Sequence, residues 1–154
     1  MMMKDINRIL VVSWITEACQ KSVHYGASLA RKYQADLSVV HIINTIWLQG
    51  WAVPKISMIE ERKKEYEREK NELTDCIDKE RKKGMNIKEI IREGNPVEEI
   101  VKIVDEEKID LLVMRAQKEG RVEHFLISGS NDAIIRKMPC SIFLVKEEPE
   151  PLPY

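Results

Sequence analysis

The sequence lacks three features that would each define a class of protein: paired cysteines, an excess of one charge and a long apolar run. Its three cysteines are widely spaced and form no C-x-x-C motif, which favours reduced thiols in a cytosol over a disulfide framework. The 25 Lys and Arg residues balance 26 Asp and Glu residues, which leaves no electrostatic footprint for nucleic acid. No stretch approaches the roughly 18 apolar residues of a membrane span, and the apolar segment near the start is too short for a signal peptide. We therefore expect a cytoplasmic protein whose partners include neither nucleic acid nor a membrane.

Short apolar runs alternate with helical patterns along the 154 residues, a length that suits one domain. β-branched and apolar runs predict five strands, at residues 8–13, 35–43, 86–91, 109–114 and 140–146. Alternation of strands and helices predicts an α/β three-layer sandwich, with an open parallel sheet covered on both faces. Ligands of such sheets bind beyond the carboxyl ends of the strands, which here are the loops after Ser13, Ile43 and Met114. We expect a single domain over residues 1–146 and a flexible Pro-rich tail over 147–154.

Helix signals lie between the predicted strands. Thr16 is a predicted cap of the first helix, and its apolar face is predicted from the spacing of Val23, Ala27, Ala30 and Tyr33. Asn95, Pro96 and Glu98 have the order of an N-cap, an N1 proline and an N3 acid. The apolar stripe of that helix is predicted at Val97, Ile100, Val101 and Val104. A short helix is expected from Ser130 or Asn131 to Lys137.

The predicted helix over residues 55–83 is dominated by charge. Between Glu60 and Lys83, 18 of 24 residues are charged, nine acidic and nine basic, and this balance argues against a nucleic-acid or membrane patch. Pairs such as Glu60 and Lys64 have the favourable i,i+4 order. A narrow apolar stripe is predicted at Ile56, Ile59, Tyr66, Leu73 and Ile77. The pattern predicts a solvated helix packed along one edge, with Gly84 just after its end.

Five segments resemble the universal stress protein family, in order and at matching spacing over nearly the whole chain. They are ILVV at 9–12, LSVVHI at 37–42, GNPVEEI at 94–100, DLLVM at 110–114 and MPCSIFLV at 138–145. The resemblance implies a Rossmann-type sandwich of the adenine-nucleotide α-hydrolase-like class, and often a homodimer. It also implies that the fifth strand forms the dimer edge, which places Ser141, Ile142, Phe143, Leu144 and Val145 there.

Many family members bind ATP through G-x2-G-x9-G-[ST] after the fourth strand, helped by an Asp at the end of the first. An ungapped alignment from Met114 to Cys140 puts the three glycine positions on Arg115, Lys118 and Ser128. Gly129 then stands in the hydroxyl position, and Trp14 and Ile15 replace the Asp and its Gly neighbour. The candidate remnant nucleotide cleft therefore comprises Ser13, Trp14, Ile15, His41, Met114, Arg115, Lys118, Ser128, Gly129, Ser130 and Asn131. Glycine lets the backbone approach phosphate without a Cβ clash, and long side chains at these positions remove that freedom.

Three functions are compatible with these patterns. The leading hypothesis is a non-enzymatic stress-response or regulatory protein that acts through contacts with an unknown protein partner, without a cofactor. The alternative is an adenine-nucleotide-binding member in which ATP or AMP occupies a remodelled phosphate site weakly, with slow hydrolysis. A third hypothesis is a purely structural interaction module.

Other patterns that carry chemistry are weak. His24, His41 and His124 are far apart and lack metal-ligand spacing, so neither a metal site nor a catalytic residue is predicted. Receiver domains share the alternation of strands and helices, but they need carboxylates at the end of the first strand and an Asp after the third. This chain has Ser13-Trp14 and Arg92-Glu93 at these places, so a receiver domain is not predicted.

The loop between the second strand and the long helix is rich in large apolar residues, with Trp47, Leu48, Trp51 and Val53. Apolar residues of this size are seldom left in water. We expect the loop either to fold back over the cleft, which we favour, or to contact a partner.

Overall fold

The structure, a computed structural model, describes residues 5–13, 19–44, 56–116 and 132–146. The strands are β1 (Arg8–Ser13), β2 (Asp36–Asn44), β3 (Ile87–Gly94), β4 (Leu111–Arg115) and β5 (Ser141–Val145). The helices are α1 (Cys19–Tyr33), α2 (Ile56–Arg81) and α3 (Pro96–Glu106), and residues 132–137 are also helical. Among the helices in these four ranges, none combines the length and apolar character needed to cross a membrane.

The five strands form one parallel sheet in the order β3-β2-β1-β4-β5. This confirms the predicted open α/β sheet. The strand order reverses between β1 and β4, which makes the carboxyl ends of these two strands the topological switch point. A flavodoxin-like sheet, the type to which receiver domains belong, has the order 2-1-3-4-5, so the topology also separates this chain from receivers.

Two apolar layers lie on opposite faces of the sheet. The first is formed by α1 and α2 against alternate strand residues, among them Val11, Val39 and Val113. The second is formed by α3 and the short helix at 132–137 against the intervening residues, among them Leu10, Val40 and Leu112. Successive side chains of a strand point to opposite faces, so one continuous apolar run fills both layers, as expected for a sheet buried on both sides.

Local signals predicted the start of α3 and the end of α2. Oδ1 of Asn95 accepts hydrogen bonds from the backbone N–H groups of Val97 (3.0 Å) and Glu98 (3.3 Å), as expected of an N-cap. After α2, Gly84 has a φ of +90°, and its N–H donates to the carbonyl of Arg81. Together with a bond from the N–H of the next residue to the carbonyl of Glu80, this is a Schellman motif.

Two of the predicted apolar stripes are corrected by the structure. In α3 the fully buried residues include Ile103, which the prediction omitted, whereas Val101 is only half-buried. In α1, Val23, Ala27 and Ala30 are buried, but Tyr33, the last residue of the helix, is 47% exposed. At about 100° per residue, Tyr33 points roughly 60° away from Ala30 around the helix, so it lies at the margin of the buried face.

Candidate ligand cleft at the carboxyl edge of the sheet

Three polar residues lie at one level across the middle strands of the sheet, where β1 and β4 end and β2 continues for three more residues. Ser13 of β1 is the register partner of His41 of β2. On the other side, Val11 pairs with Val113, so two residues further along each strand Ser13 lies level with Arg115 of β4. We call Ser13, His41 and Arg115 the polar row.

The polar row faces the α1/α2 side of the sheet. Residues two apart on a strand share a face of the sheet. Two positions before the members of the row, their strands carry Val11, Val39 and Val113, which all belong to the first apolar layer. The row therefore lies on one face and spans the β1/β4 switch point, where open α/β sheets bind ligands.

Burial differs along the polar row. Ser13 and His41 are 1% and 2% exposed, and burial lowers the pKa of the His41 imidazole below its ordinary value. His41 is therefore neutral at pH 7, offering one nitrogen as donor and one as acceptor. Arg115 is half-buried, with its Nε beneath the surface. Because a guanidinium keeps its proton in proteins, Arg115 supplies the positive charge of the row.

Met114 differs in orientation from the row. Its side chain is fully buried in the second apolar layer, on the α3 side of the sheet. It therefore lies on the face opposite to the polar row. Seven further predicted cleft residues lie outside the described part of the chain, as does the tryptophan-containing loop at 45–55. They are Trp14, Ile15, Lys118, Ser128, Gly129, Ser130 and Asn131.

The chemistry available to the polar row is hydrogen bonding and attraction of anions. It contains a hydroxyl, a neutral imidazole and a guanidinium, without a carboxylate to act as a general base or to bind a metal ion. Within the described ranges, no group of three or more His, Cys, Asp and Glu side chains is arranged to hold a metal ion. The family resemblance placed these three residues in one candidate cleft, but their common level and face depend on strand register, which the sequence does not display.

An open parallel sheet in the order β3-β2-β1-β4-β5, with polar side chains at its switch point, defines a Rossmann-type α/β protein. The model of the universal stress protein family matches residues 6–146. The chain belongs to the universal stress protein family. This confirms the resemblance seen in the five sequence segments.

Relatives cover almost the whole chain. The universal stress protein of Methanothermobacter thermautotrophicus is 24% identical over 151 residues, covering 94% of this chain and 99% of the relative. The structure of protein MJ0577 of Methanocaldococcus jannaschii is similar with a TM-score of 0.74 and 20% identity, covering 94% of this chain and 99% of that one.

Two similar structures contain adenine nucleotides. A universal stress protein in complex with cAMP has a TM-score of 0.63 and 18% identity, over 92% of this chain and 98% of that one. The universal stress protein of Archaeoglobus fulgidus in complex with dAMP has a TM-score of 0.59 and 18% identity, over 92% and 98%. At these identities the likeness establishes the fold they share with this chain.

Proposed function

We propose that this protein is a non-enzymatic stress-response regulator of the cytoplasm, acting through protein contacts and without tight ATP binding. The observation that carries the proposal is Arg115, the last residue of β4, with its Nε beneath the surface at the switch point. In the alignment with the family, this position belongs to the first glycine of the ATP motif. Cys140 carries a free thiol, in keeping with a reducing compartment.

Arg115 affects ATP binding in two opposing ways. Its side chain occupies space in which a glycine would let phosphate approach the backbone, but its charge attracts phosphate. An exposed cation–anion contact contributes about 1 kcal/mol or less. With about 2 kcal/mol for the half-buried Arg115 and about 1 kcal/mol each for a helix N-terminus and for Lys118, which the alignment puts at the second glycine position, the sum is roughly 4 kcal/mol. This sum corresponds to about millimolar affinity. We therefore expect ATP binding to be weak and to decrease further with salt.

The protein contacts that we propose begin with a homodimer through β5. This strand is an edge of the sheet, its sequence SIFLV carries no charge, and Leu144 is 46% exposed. The opposite edge, β3, has the sequence IKEIIREG, and charged side chains on an edge discourage pairing. The difference between the two edges favours β5 as the one that pairs with a second copy.

A second candidate function is adenine-nucleotide binding in a remodelled cleft, with slow hydrolysis. The similar proteins crystallised with cAMP and dAMP favour this alternative. Under it, Arg115 would bind a phosphate group directly through its planar guanidinium, with Ser13 and neutral His41 as further hydrogen-bonding groups.

Titration calorimetry with Mg-ATP at two salt concentrations separates the two functions. The proposal predicts a dissociation constant of about 1 mM or weaker at low salt, and no measurable heat at physiological salt. A micromolar constant that is insensitive to salt and lost in Arg115→Ala would contradict the proposal and support the alternative. Arg68→Ala, which removes an exposed arginine of α2, is the matched control and is expected to change neither result.

A further inference from the structure

A separate pocket of about 280 Å³ lies at the opposite, amino edge of the sheet, where β1, β2 and β3 begin and α3 ends. Leu37 and Ile109 contribute the apolar part of its wall. The polar and charged residues of the wall are Arg8, Asp36, Ser38, Asn86, Lys88 and Glu107. Since ligand pockets usually measure about 300–1,000 Å³, this volume suits only a small molecule.

Two opposite charges lie side by side in this pocket. Arg8 and Asp36 are register partners on neighbouring strands, so their Cα atoms are about one strand spacing apart, ~4.8 Å. Among the described residues, Arg8 and Asp36 do not form an ion pair with each other. The guanidinium of Arg8 donates instead to the carbonyl of Glu107 at 3.0 Å. Asp36 has no hydrogen-bond or ion-pair partner among the side chains that the structure describes. Its carboxylate is therefore available to a ligand.

The cations of the pocket are held in place by Glu107, the C-cap residue of α3. Its carbonyl accepts the bond from Arg8, and its Oε1 lies 2.8 Å from Nζ of Lys88. Each cation keeps further N–H donors, because a guanidinium has five and an ammonium three. Groups that are already fixed lose less freedom when a ligand binds.

The charge pattern selects the class of ligand. An anion would be opposed by Asp36, and a cation would be opposed by Arg8 and Lys88. A molecule that carries both charges close together would satisfy both sides. We propose that this pocket binds a free α-amino acid, with Arg8 contacting its carboxylate and Asp36 its ammonium group. Ser38 and Asn86 would then face the side chain of the ligand.

NMR titration of the full chain with glycine, L-alanine and L-glutamine tests the proposal. We expect saturable shifts of the backbone amides at residues 36–38 and 86–88, with dissociation constants of about 10 mM or tighter. N-acetyl-L-alanine lacks the ammonium group and ethylamine lacks the carboxylate. Neither is expected to produce saturable shifts at these amides.

Asp36→Asn is the decisive variant, because its exposed side chain has no described partner whose loss would disturb the fold. It should weaken amino-acid binding at least about tenfold, whereas Glu93→Gln, at the other end of β3, should leave binding unchanged. Shifts that do not saturate, equal binding of ethylamine, or unchanged affinity in Asp36→Asn would each overturn the proposal. The ATP titrations address the opposite edge of the sheet, so either proposal fails independently of the other.

Discussion

At the scale of single residues, Glu80 is a buried carboxylate within a helix that is otherwise rich in exposed charge. Its side chain is 6% exposed, and its oxygens lie 3.1 Å from Nη1 of Arg31 and 3.3 Å from Nδ1 of His24, both on α1. Burial would raise the pKa of Glu80, but these hydrogen bonds and the charge of Lys83 lower it below its ordinary value of 4.5. The ionised carboxylate therefore connects α2 to α1.

Replacing Glu80 by Gln should reduce the free energy of unfolding by about 1–3 kcal/mol at pH 7, since hydrogen bonds to a charged group are lost. A carboxyl group whose pKa is lower in the folded state stabilises the fold above its unfolded pKa, and this contribution is lost as the pH falls through the folded pKa. The difference in the free energy of unfolding between wild type and Glu80→Gln should therefore decrease below about pH 4.5.

Urea unfolding at pH 7, 5 and 3 measures this difference. Glu72→Gln, which alters an exposed carboxylate of the same helix, should remain close to wild type throughout. A difference for Glu80→Gln that stays constant with pH would contradict the assigned role of the ionised carboxylate.

The role of Glu80 was not predictable from its neighbours in the sequence. Its partners on α1 are 49 and 56 residues away, and within the charged stretch at 60–83 it resembles every other glutamate. Asn95, by contrast, was predictable because its bonds reach only two and three residues ahead. Local hydrogen bonds leave a signal in the sequence, and tertiary ones depend on how two helices pack.

At the scale of secondary-structure elements, the two edge strands of the sheet differ in composition. β3 contains four charged residues among its eight, and one of them, Glu89, accepts a hydrogen bond from Thr74 of α2. β5 has apolar residues on both faces, with Phe143 packing against Tyr25 of α1. An uncharged edge strand is open to pairing with another chain.

Replacing Leu144 by Lys should raise the dissociation constant of the expected homodimer about 100-fold, or ~2.8 kcal/mol, because a two-fold interface would bury the new charge twice. Analytical ultracentrifugation across a range of protein concentrations measures the change. Ile91→Lys alters a comparably exposed residue, 36% against 46%, on the other edge strand and should leave the dimer intact. If Ile91→Lys dissociated the dimer while Leu144→Lys left it intact, the dimer would pair through β3 and not through β5.

The elements were predictable to different degrees. β1 was predicted with the bounds that the structure gives it, Arg8–Ser13, because its apolar run is bounded by polar residues at both ends. β3 runs to Gly94, three residues beyond the prediction, because Arg92 and Glu93 continue the hydrogen-bonded register with β2. Polar residues at an edge strand look like a loop in sequence, although the backbone continues the sheet.

At the scale of the whole molecule, the fold was predictable because alternating strands and helices allow few parallel-sheet topologies. The geometry of the candidate cleft was less predictable than the fold. That Ser13, His41 and Arg115 share one level and one face follows from the register of three strands. Three crossovers, through α1, α2 and α3, connect these strands along the chain. The amino-edge pocket has the same origin, since Arg8, Asp36 and Lys88 come from three strands and Glu107 from the end of α3.

The central claim is that this universal stress protein acts as a protein-binding dimer rather than as a tight nucleotide binder. Native mass spectrometry of the protein as purified tests both parts in one spectrum. The account predicts a species of twice the 18.0 kDa chain mass without added mass. A species whose mass is increased by an adenine nucleotide on each chain, and which persists after buffer exchange into high salt, would contradict it.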